Sequence, residues 1–241
     1  MTSGTISPLE FDRYATDYDQ MLAEGLAISG EDKDYFAQGR IDWLKACVDQ
    51  LGVAPQFIMD FGCGTGGSVR LLLERFRAQS VLGVDPSIRL VERARRQYGA
   101  ANRLFKQIDE YSPREEVDLV FCNGVFHHIQ LADRAKAAEY VWRALKPGGY
   151  WAFWENNPWN PGTRYVMSRI PFDRDAITLT ASDASVLLQS SGFHILRTDY
   201  LFVFPKSLRV LRWMEPHLTR FPVGAQYLVL ARKFGKFREP A

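Results

Sequence analysis

The sequence predicts an α/β protein whose central sheet is mostly parallel and is covered by helices on both faces. Five short runs rich in Val, Ile, Leu and Phe occur at residues 57–61, 81–85, 103–108, 118–122 and 150–154. Helical stretches at residues 68–76, 88–98 and 133–145 lie between most of these runs. Continuously apolar strands that alternate with helices of this length are typical of a parallel sheet buried on both faces.

The composition sets limits on the class of protein. The chain has 241 residues, of which 46% are apolar and 24% charged, as expected for a globular protein with one substantial core. Its formal net charge of +2 gives no concentrated basic footprint, so nucleic acid is not an expected partner. The first residues do not resemble a signal peptide, and no apolar run reaches the length of a membrane span. The sequence therefore predicts a cytoplasmic protein without integral membrane association, and it leaves the oligomeric state open.

The first 52 residues are predicted to form a helical cap. Phe11, Tyr14, Tyr18 and Leu22 recur at helical spacing, and a second helical pattern follows the break at Gly30. From residue 56 onwards the strand and helix pattern of the sheet replaces this all-helical one.

The remainder of the chain departs from the regular alternation. After a helix at residues 182–190, a long strand is predicted at 193–204 and a last strand at 225–231. Residues 156–181 and 205–224 fall outside this framework. Both follow strands, at the edge where open α/β sheets bind ligands, and they are predicted to be lids.

The end of the chain is basic and partly amphipathic. Residues 201–241 carry eight basic side chains against two acidic ones. Within residues 207–221, one helical face is suggested by apolar side chains at Leu208, Leu211, Met214 and Leu218, although Pro216 interrupts it. Such a segment is typical of a solvated cap packed on the core, or of a lid that makes peripheral contact with an anionic lipid surface or an acidic substrate.

A glycine-rich loop at residues 58–68, with the sequence IMDFGCGTGGS, joins the first strand of the sheet to a helix. Glycines allow the backbone to approach a ligand closely, and Gly62, Gly64 and Gly67 have the G-x-G-x-x-G spacing of a dinucleotide site. However, Asp60 places a negative charge where a pyrophosphate would bind. Repulsion there favours a cofactor with a cationic end.

A second carboxylate follows the next strand. Asp85 ends that strand and is placed to accept hydrogen bonds from both hydroxyls of a ribose. Since Pro86 follows it, Asp85 could instead support the start of a helix. Its position beside the glycine loop favours the ribose role.

The sequence closely resembles the class I S-adenosylmethionine-dependent methyltransferases in five ordered motifs between residues 57 and 154. These are the D-x-G-x-G-x-G loop, the acid after the second strand, FKQIDE at 105–110, VDLVFCNGVFHHI at 117–129 and LKPGGY at 145–150. The resemblance implies a single methyltransferase domain with a Rossmann-like, doubly wound, seven-stranded sheet, mostly parallel with a reversed last strand. Residues 53–155 would form the cofactor-binding half, and residues 182–204 and 225–234 would supply the C-terminal strands.

The resemblance also implies S-adenosylmethionine as the cofactor. The loop would hold its amino-acid part, Asp85 its ribose and Asp109 its adenine amino group. Cys63 and Cys122 also lie within the motifs, where they are expected to be small buried residues without chemistry. The cofactor-binding residues implied in this way are Asp60, Gly62, Cys63, Gly64, Gly66, Asp85, Pro86, Ile108, Asp109, Asn123, Gly124 and Val125, together with Tyr14, Tyr18 and Arg40 from the helical cap.

Several of these residues have an ordinary alternative role. Asp109 could be a turn residue, because aspartate favours loops. Tyr14 and Tyr18 could close over a sulfonium, which aromatic faces attract, but aromatics at helical spacing more often pack in a core. Arg40 could bind the cofactor carboxylate or lie in solvent.

Candidate catalytic residues lie after the fourth and fifth strands. Transfer of a methyl group to an alcohol needs a base, and His127 and His128 lie in the loop that faces the methyl group in the family. Glu155 ends the fifth strand at a neighbouring strand tip. The hypothesis is that His127 is the base and Glu155 its partner; the alternative is that the histidines only orient the loop.

The predicted function is methyl transfer to a small molecule, at oxygen in preference to nitrogen or carbon, with a lipid-linked intermediate still possible as the acceptor. An NAD(P)-binding oxidoreductase is the main rival, but none of the ten tyrosines begins a Tyr-x-x-x-Lys motif. A non-catalytic cofactor-binding protein is the second alternative, although Asp60, Asp85 and Asp109 are all intact. No metal is expected, since no His and carboxylate cluster with metal-ligand spacing is evident.

Overall fold

A computed structural model describes residues 12, 14–174 and 176–235. Phe11 of the predicted first helix lies outside these residues, as do Lys236, Arg238 and Glu239 of the charged C-terminal segment. The described strands are β1 (Phe57–Phe61), β2 (Ser80–Asp85), β3 (Arg103–Gln107), β4 (Val117–Asn123), β5 (Leu145–Asn156), β6 (Phe193–Leu201) and β7 (Gln226–Lys233).

The seven strands form one sheet in the order β3-β2-β1-β4-β5-β7-β6. Strand β7 runs antiparallel to both of its neighbours, β5 and β6, while the pairs among β1 to β5 are parallel. The strand order reverses between β1 and β4, and ligands of open α/β sheets bind at such a switch point. The predicted Rossmann-like sheet with a reversed last strand is confirmed.

Helices cover both faces of the sheet. Among the described residues, the α-helices are α1 (Tyr18–Leu26), α2 (Lys33–Gln50), α3 (Gly67–Phe76), α4 (Ile88–Tyr98), α5 (Arg134–Ala144), α6 (Pro161–Arg169), α7 (Ala181–Ser190) and α8 (Glu215–Leu218). Short 3₁₀ helices occur at Ala27–Ser29, Ile108–Glu110, Phe126–His128, Leu131–Asp133 and Lys206–Met214. No helix in the described part of the chain is long and apolar enough to cross a membrane.

Two apolar cores sandwich the sheet, because successive strand side chains point to opposite faces. On one face Met59 and Trp151 contribute to a core shared with α5 and α7. On the other face Ile58 and Trp154 contribute to a core shared with α2, α3 and α4. With both faces buried, chemistry is confined to the ends of the strands.

The structure corrects two details of the predicted tail. Strand β6 ends at Leu201 and not at residue 204, because Phe202 takes a left-handed conformation with φ 62°, which extended backbone does not contain. The proposed helical face at residues 207–221 is divided between a 3₁₀ helix and α8, since Pro216 lies in the first turn of α8 and starts a new helix. Leu208 is exposed, while the other three apolar residues are half-buried.

Candidate active site

The glycine loop turns at the carboxyl ends of β1 and β2. The backbone N–H groups of Gly62 and Cys63 both donate to the carbonyl of Val84, at 2.8 and 3.0 Å. Gly62 has φ 75°, and a Cβ there would collide with the side chain of Val125, which follows β4. The loop therefore packs directly against the loop after β4, as only glycine allows.

The next part of the loop faces open space. Gly64 has φ 52°, and a Cβ at this position would meet only the Tyr18 hydroxyl, at 3.9 Å, within 4 Å. Its N–H donates to Asp85 Oδ2 at 2.9 Å, while Asp85 Oδ1 accepts from the N–H of Ser87 at 2.9 Å. Asp85 thus fixes both the loop and the start of α4; its support of the helix start is observed, and its ribose role stays a prediction.

Asp60 and Asp85 are both buried near the carboxyl ends of β1 and β2. Burial raises the pKa of Asp85 to about 6, against the opposing effect of its two backbone hydrogen bonds. Burial and the charge of Asp85 raise the pKa of Asp60 to about 7, which nearby Arg40 opposes. Two desolvated carboxylates favour a ligand that brings positive charge or hydrogen-bond donors.

The remaining residues expected at the adenine end lie at the same edge. Asp85 pairs in register with Gln107, so Ile108 and Asp109 emerge just beyond β3. The amide of Gln107 donates to the carbonyl of Pro86 at 3.1 Å and joins the two loops. Asp109 is exposed in a 3₁₀ turn, a position that suits both a turn residue and a group that meets a ligand from outside.

The helical cap covers the other side of the glycine loop. Tyr18 stacks on Phe172 with ring centroids 4.8 Å apart and an angle of 8°, and Tyr14 contacts the same ring. Burial raises the pKa of Tyr18 above its usual range, so its hydroxyl keeps its proton. The aromatic contacts fit core packing, and they also place the Tyr18 hydroxyl over Gly64.

Arg40 is buried, with 8% of its surface exposed, and does not lie in solvent. One of its terminal nitrogens, Nη1, donates to Gln226 Oε1 at 2.8 Å, but its Nε has no hydrogen-bond partner among the described residues. Asn123 Oδ1, at the end of β4, is similarly unsatisfied, and both side chains border the same cavity. A buried polar atom without a hydrogen-bond partner lowers the stability of the fold, unless a bound ligand or water supplies the missing bond.

The two histidines take different environments. Nδ1 of His127 lies 2.6 Å from Glu155 Oε2, and its Nε2 lies 3.4 Å from Asp173 Oδ1. Glu155 also accepts a 2.7 Å hydrogen bond from the N–H of Phe126. His128 Nε2 lies 3.2 Å from the same oxygen of Asp173. Asp173 therefore joins both imidazoles.

Burial and nearby charges shift the pKa values of the two imidazoles in opposite directions. Burial disfavours a charge on His127, but Glu155 and Asp173 outweigh it and hold the pKa of His127 well above its usual value. Burial and the charge of His127 lower the pKa of His128. The pKa values of Glu155 and Asp173 are below their usual range because their bonds to the histidines outweigh burial. His127 is thus a fixed cation, and His128 is the neutral ring.

Sequence reasoning did not find Asp173, which lies 45 residues after His128 in the predicted lid at 156–181. The lid is tied to the histidine loop, since the N–H of Ile177 donates to the carbonyl of His127 at 2.9 Å and Arg134 donates to the carbonyl of Ile177 at 2.6 Å. No sequence spacing signals this contact.

Potential ligand atoms of His127, His128 and Asp173 lie within 4.8 Å of one another, close enough to hold a metal ion. The spacing of these residues in the sequence did not reveal this cluster, and the expectation that no metal binds stays a prediction. The hydrogen bonds and ion pairs already described also account for the grouping of these three side chains.

A cavity of about 490 Å³ opens beside these groups, within the range of small-molecule sites. His127, His128, Asn123 and Gly124 border it at the ends of the central strands. Most of the remaining wall comes from the predicted cap and lid segments, and the residues around the end of β6 and the start of β7 complete it. The cavity thus brings Tyr18, Arg40 and the histidines to one space.

Comparison with known proteins agrees with this arrangement. A family model described as "Methyltransferase domain" matches residues 59–151. Trans-aconitate 2-methyltransferase of Acidovorax sp. (strain JS42) is 27% identical over 176 residues, which cover 67% of each chain. The enzyme of the same name from Methylobacterium nodulans is 29% identical over 205 residues, which cover 74% of this chain and 76% of the relative.

Solved structures show the same fold. An S-adenosylmethionine-dependent methyltransferase from Mesorhizobium loti has a TM-score of 0.54 and 22% identity, over 74% of this chain and 91% of that one. The DhpI–SAH complex has a TM-score of 0.65 and 17% identity, over 98% and 100% of the two chains. A methyltransferase domain therefore matches the cofactor half, and the chain has the fold of the class I S-adenosylmethionine-dependent methyltransferases.

Proposed function

We propose that this methyltransferase transfers the methyl group to an oxygen atom of a small molecule and that His128 accepts the proton of the acceptor. The observation that carries the proposal is the split between the two histidines: His127 is held as a cation between carboxylates, while the neutral His128 borders the cavity. A base must be neutral to accept a proton at neutral pH. The earlier hypothesis that His127 is the base fits this environment less well.

Asp173 positions the proposed base. If His128 donates its Nε2 proton to Asp173, the tautomer is fixed and Nδ1 is the accepting nitrogen. The carboxylate then stabilises the imidazolium that forms when the proton arrives. His127 and Glu155 hold the loop in place and do not themselves take part in proton transfer.

The residues at the glycine loop fit the family's cofactor. S-adenosylmethionine, when bound, supplies an electrophilic methyl group on a sulfonium. Asp85 would accept from its ribose hydroxyls, and Arg40 would pair with its carboxylate through the unsatisfied Nε. Asp60 and the glycine loop would hold its amino-acid part, with Asp109 at the adenine.

We further propose a division of labour along the chain. Residues 53–155 bind the cofactor, while the cap at 1–52 and the lids at 156–181 and 205–224 enclose the acceptor.

The relatives' name, which refers to trans-aconitate, supports a small-molecule acceptor for this chain as well. A cytoplasmic location remains a prediction. Methylation of nitrogen or carbon is the alternative outcome of the assay below.

The acceptor atom can be identified directly. The enzyme is incubated with S-adenosylmethionine carrying a ¹³C-labelled methyl group and with the small-molecule fraction of a cell extract. The chemical shift of the labelled methyl in the product distinguishes O-methyl from N-methyl and C-methyl. An O-methyl product supports the proposal, and a product labelled at nitrogen or carbon overturns it.

The affinity for S-adenosylmethionine is expected to fall as the pH is lowered from 8 to 5.5. Ribose hydroxyls and an ammonium group bind the ionised carboxylates, but the raised pKa values of Asp60, about 7, and Asp85, about 6, leave both partly protonated in the empty enzyme below neutrality. Titration calorimetry is expected to show Kd rising by about tenfold to hundredfold across this range.

The control for this measurement is Asp85→Asn, which should bind weakly at every pH and show a shallower pH dependence. An affinity that does not change with pH in the wild type would contradict the proposed contacts of Asp60 and Asp85.

Arg40→Met is expected to raise the Kd for S-adenosylmethionine by about tenfold to hundredfold, since a buried charge-assisted bond contributes about 1.5–3 kcal/mol. Arg70→Met, at an exposed arginine paired with Glu74, is the matched control and should bind normally. Calorimetry measures the Kd of both variants for S-adenosylmethionine, and melting curves confirm that both are folded. If Arg40→Met binds S-adenosylmethionine as tightly as the wild type, Arg40 does not contact the cofactor, and its observed bond to Gln226 is structural.

A further inference from the structure

The cavity wall beyond the histidines is predominantly apolar. It is formed by α1, α6 and the residues after β6, and its aliphatic and aromatic side chains include Leu22, Leu26, Val166, Met167, Phe202 and Phe204. The predicted cap contributes Leu22 and Leu26, the segment at 156–181 contributes Val166 and Met167, and Phe202 and Phe204 follow strand β6. A ligand in this part of the cavity therefore meets hydrocarbon on several sides.

The basic residues that border the cavity already have partners. Lys33 pairs with Asp19 at 2.9 Å. Arg212 pairs with Glu31 at 3.0 Å, and its guanidinium also lies 4.7 Å from the centre of the Tyr35 ring.

Arg40, the remaining basic side chain on the wall apart from the histidines, is assigned above to the cofactor. A carboxylate brought into the cavity would have to break one of these pairs or remain unpaired, and an unpaired buried charge is costly.

The apolar wall continues to the molecular surface. Ile28 and Tyr165 border the cavity, yet 62% and 47% of their surfaces are exposed. Val210 and Trp213, in the 3₁₀ helix that follows the cavity residue Pro205, are 75% and 71% exposed. Ile28 and Tyr165 therefore carry the apolar wall of the cavity out to the surface.

From this wall we infer that the methyl acceptor is a largely apolar molecule with a hydroxyl group at the end that reaches His128, and not a polycarboxylate such as trans-aconitate. The inference rests on the proposed O-methyl transfer. The hydroxyl is needed because a carboxylate oxygen requires no base, whereas an alcohol or phenol must lose a proton to His128 as its oxygen bonds the methyl group.

The test uses three defined probes on the full chain: 2-naphthol, 4-butylphenol and trans-aconitate. Calorimetry in the presence of S-adenosylhomocysteine measures their binding, and ¹³C-labelled S-adenosylmethionine reports methyl transfer. Both phenols are expected to bind more tightly than trans-aconitate. Tighter binding of trans-aconitate, or no binding of either phenol, would overturn the inference.

A pair of variants locates the binding. Ile28→Glu places a carboxylate on the rim, whereas Val186→Glu places one on α7 outside the cavity, at a residue that is also 62% exposed. Ile28→Glu is expected to weaken 4-butylphenol binding by about tenfold. Val186→Glu should have no effect, and both should bind S-adenosylmethionine normally. Equal effects of the two variants would overturn the inference.

Binding and transfer separate the two proposals. If the phenols bind at the rim but the labelled methyl appears on carbon, the proposed O-methylation fails and the apolar acceptor site stands. If the phenols do not bind while an extract still yields an O-methyl product, the acceptor class fails and O-methylation stands.

Discussion

His128→Gln is expected to lower kcat by about 10²–10⁴-fold while leaving the Kd for S-adenosylmethionine unchanged. This is the usual contribution of a general base, and glutamine cannot accept the proton of an acceptor hydroxyl. The pH profile of the wild type should show a rate that falls as His128 is protonated, below neutrality because its pKa is lowered. Single-turnover rates with the best acceptor provide the measurement, since they isolate the chemical step.

His194→Gln is the matched control, because His194 is exposed on β6 and away from the cavity. It should retain the wild-type rate. A wild-type rate in His128→Gln would leave alignment alone as the source of catalysis. Loss of wild-type activity in a chelator, restored by an added divalent cation, would instead assign His127, His128 and Asp173 to a metal.

Glu155→Gln is expected to lower the free energy of unfolding by about 3–5 kcal/mol, the usual cost of removing one member of a buried ion pair. The change retains the shape of the side chain and an oxygen for the N–H of Phe126, but it removes the charge that His127 faces at 2.6 Å. Urea unfolding monitored by circular dichroism provides the measurement.

Glu139→Gln is the control, since Glu139 is half-buried and pairs with the exposed Arg143 within helix α5. It should change the free energy of unfolding by less than about 1 kcal/mol. If Glu155→Gln is no more destabilising than this control, the buried pair contributes nothing net to stability, and Glu155 serves only to orient the histidine loop.

Much of the sheet could be predicted because each strand carries its own signal. The first strand was predicted at residues 57–61 and the helix after the second strand at 88–98, and both are observed with these bounds. The end of β6 was predicted at residue 204 instead of Leu201. A phenylalanine gives no sign in the sequence of the left-handed conformation that Phe202 takes. Polar and apolar periodicity does not report such a reversal of φ.

The sequence by itself determined the cofactor side of this protein. The glycine loop, Asp60 and Asp85 are local in the chain, and strand-to-helix connections bring such local motifs to one edge of a parallel sheet. The acceptor side was decided only by the tertiary structure. Asp173 reaches the histidines from a segment far along the chain, and the two carboxylates raise the pKa of His127, while burial lowers that of His128. Desolvation and pairing depend on which side chains meet in space, so the order of residues alone could not assign the base.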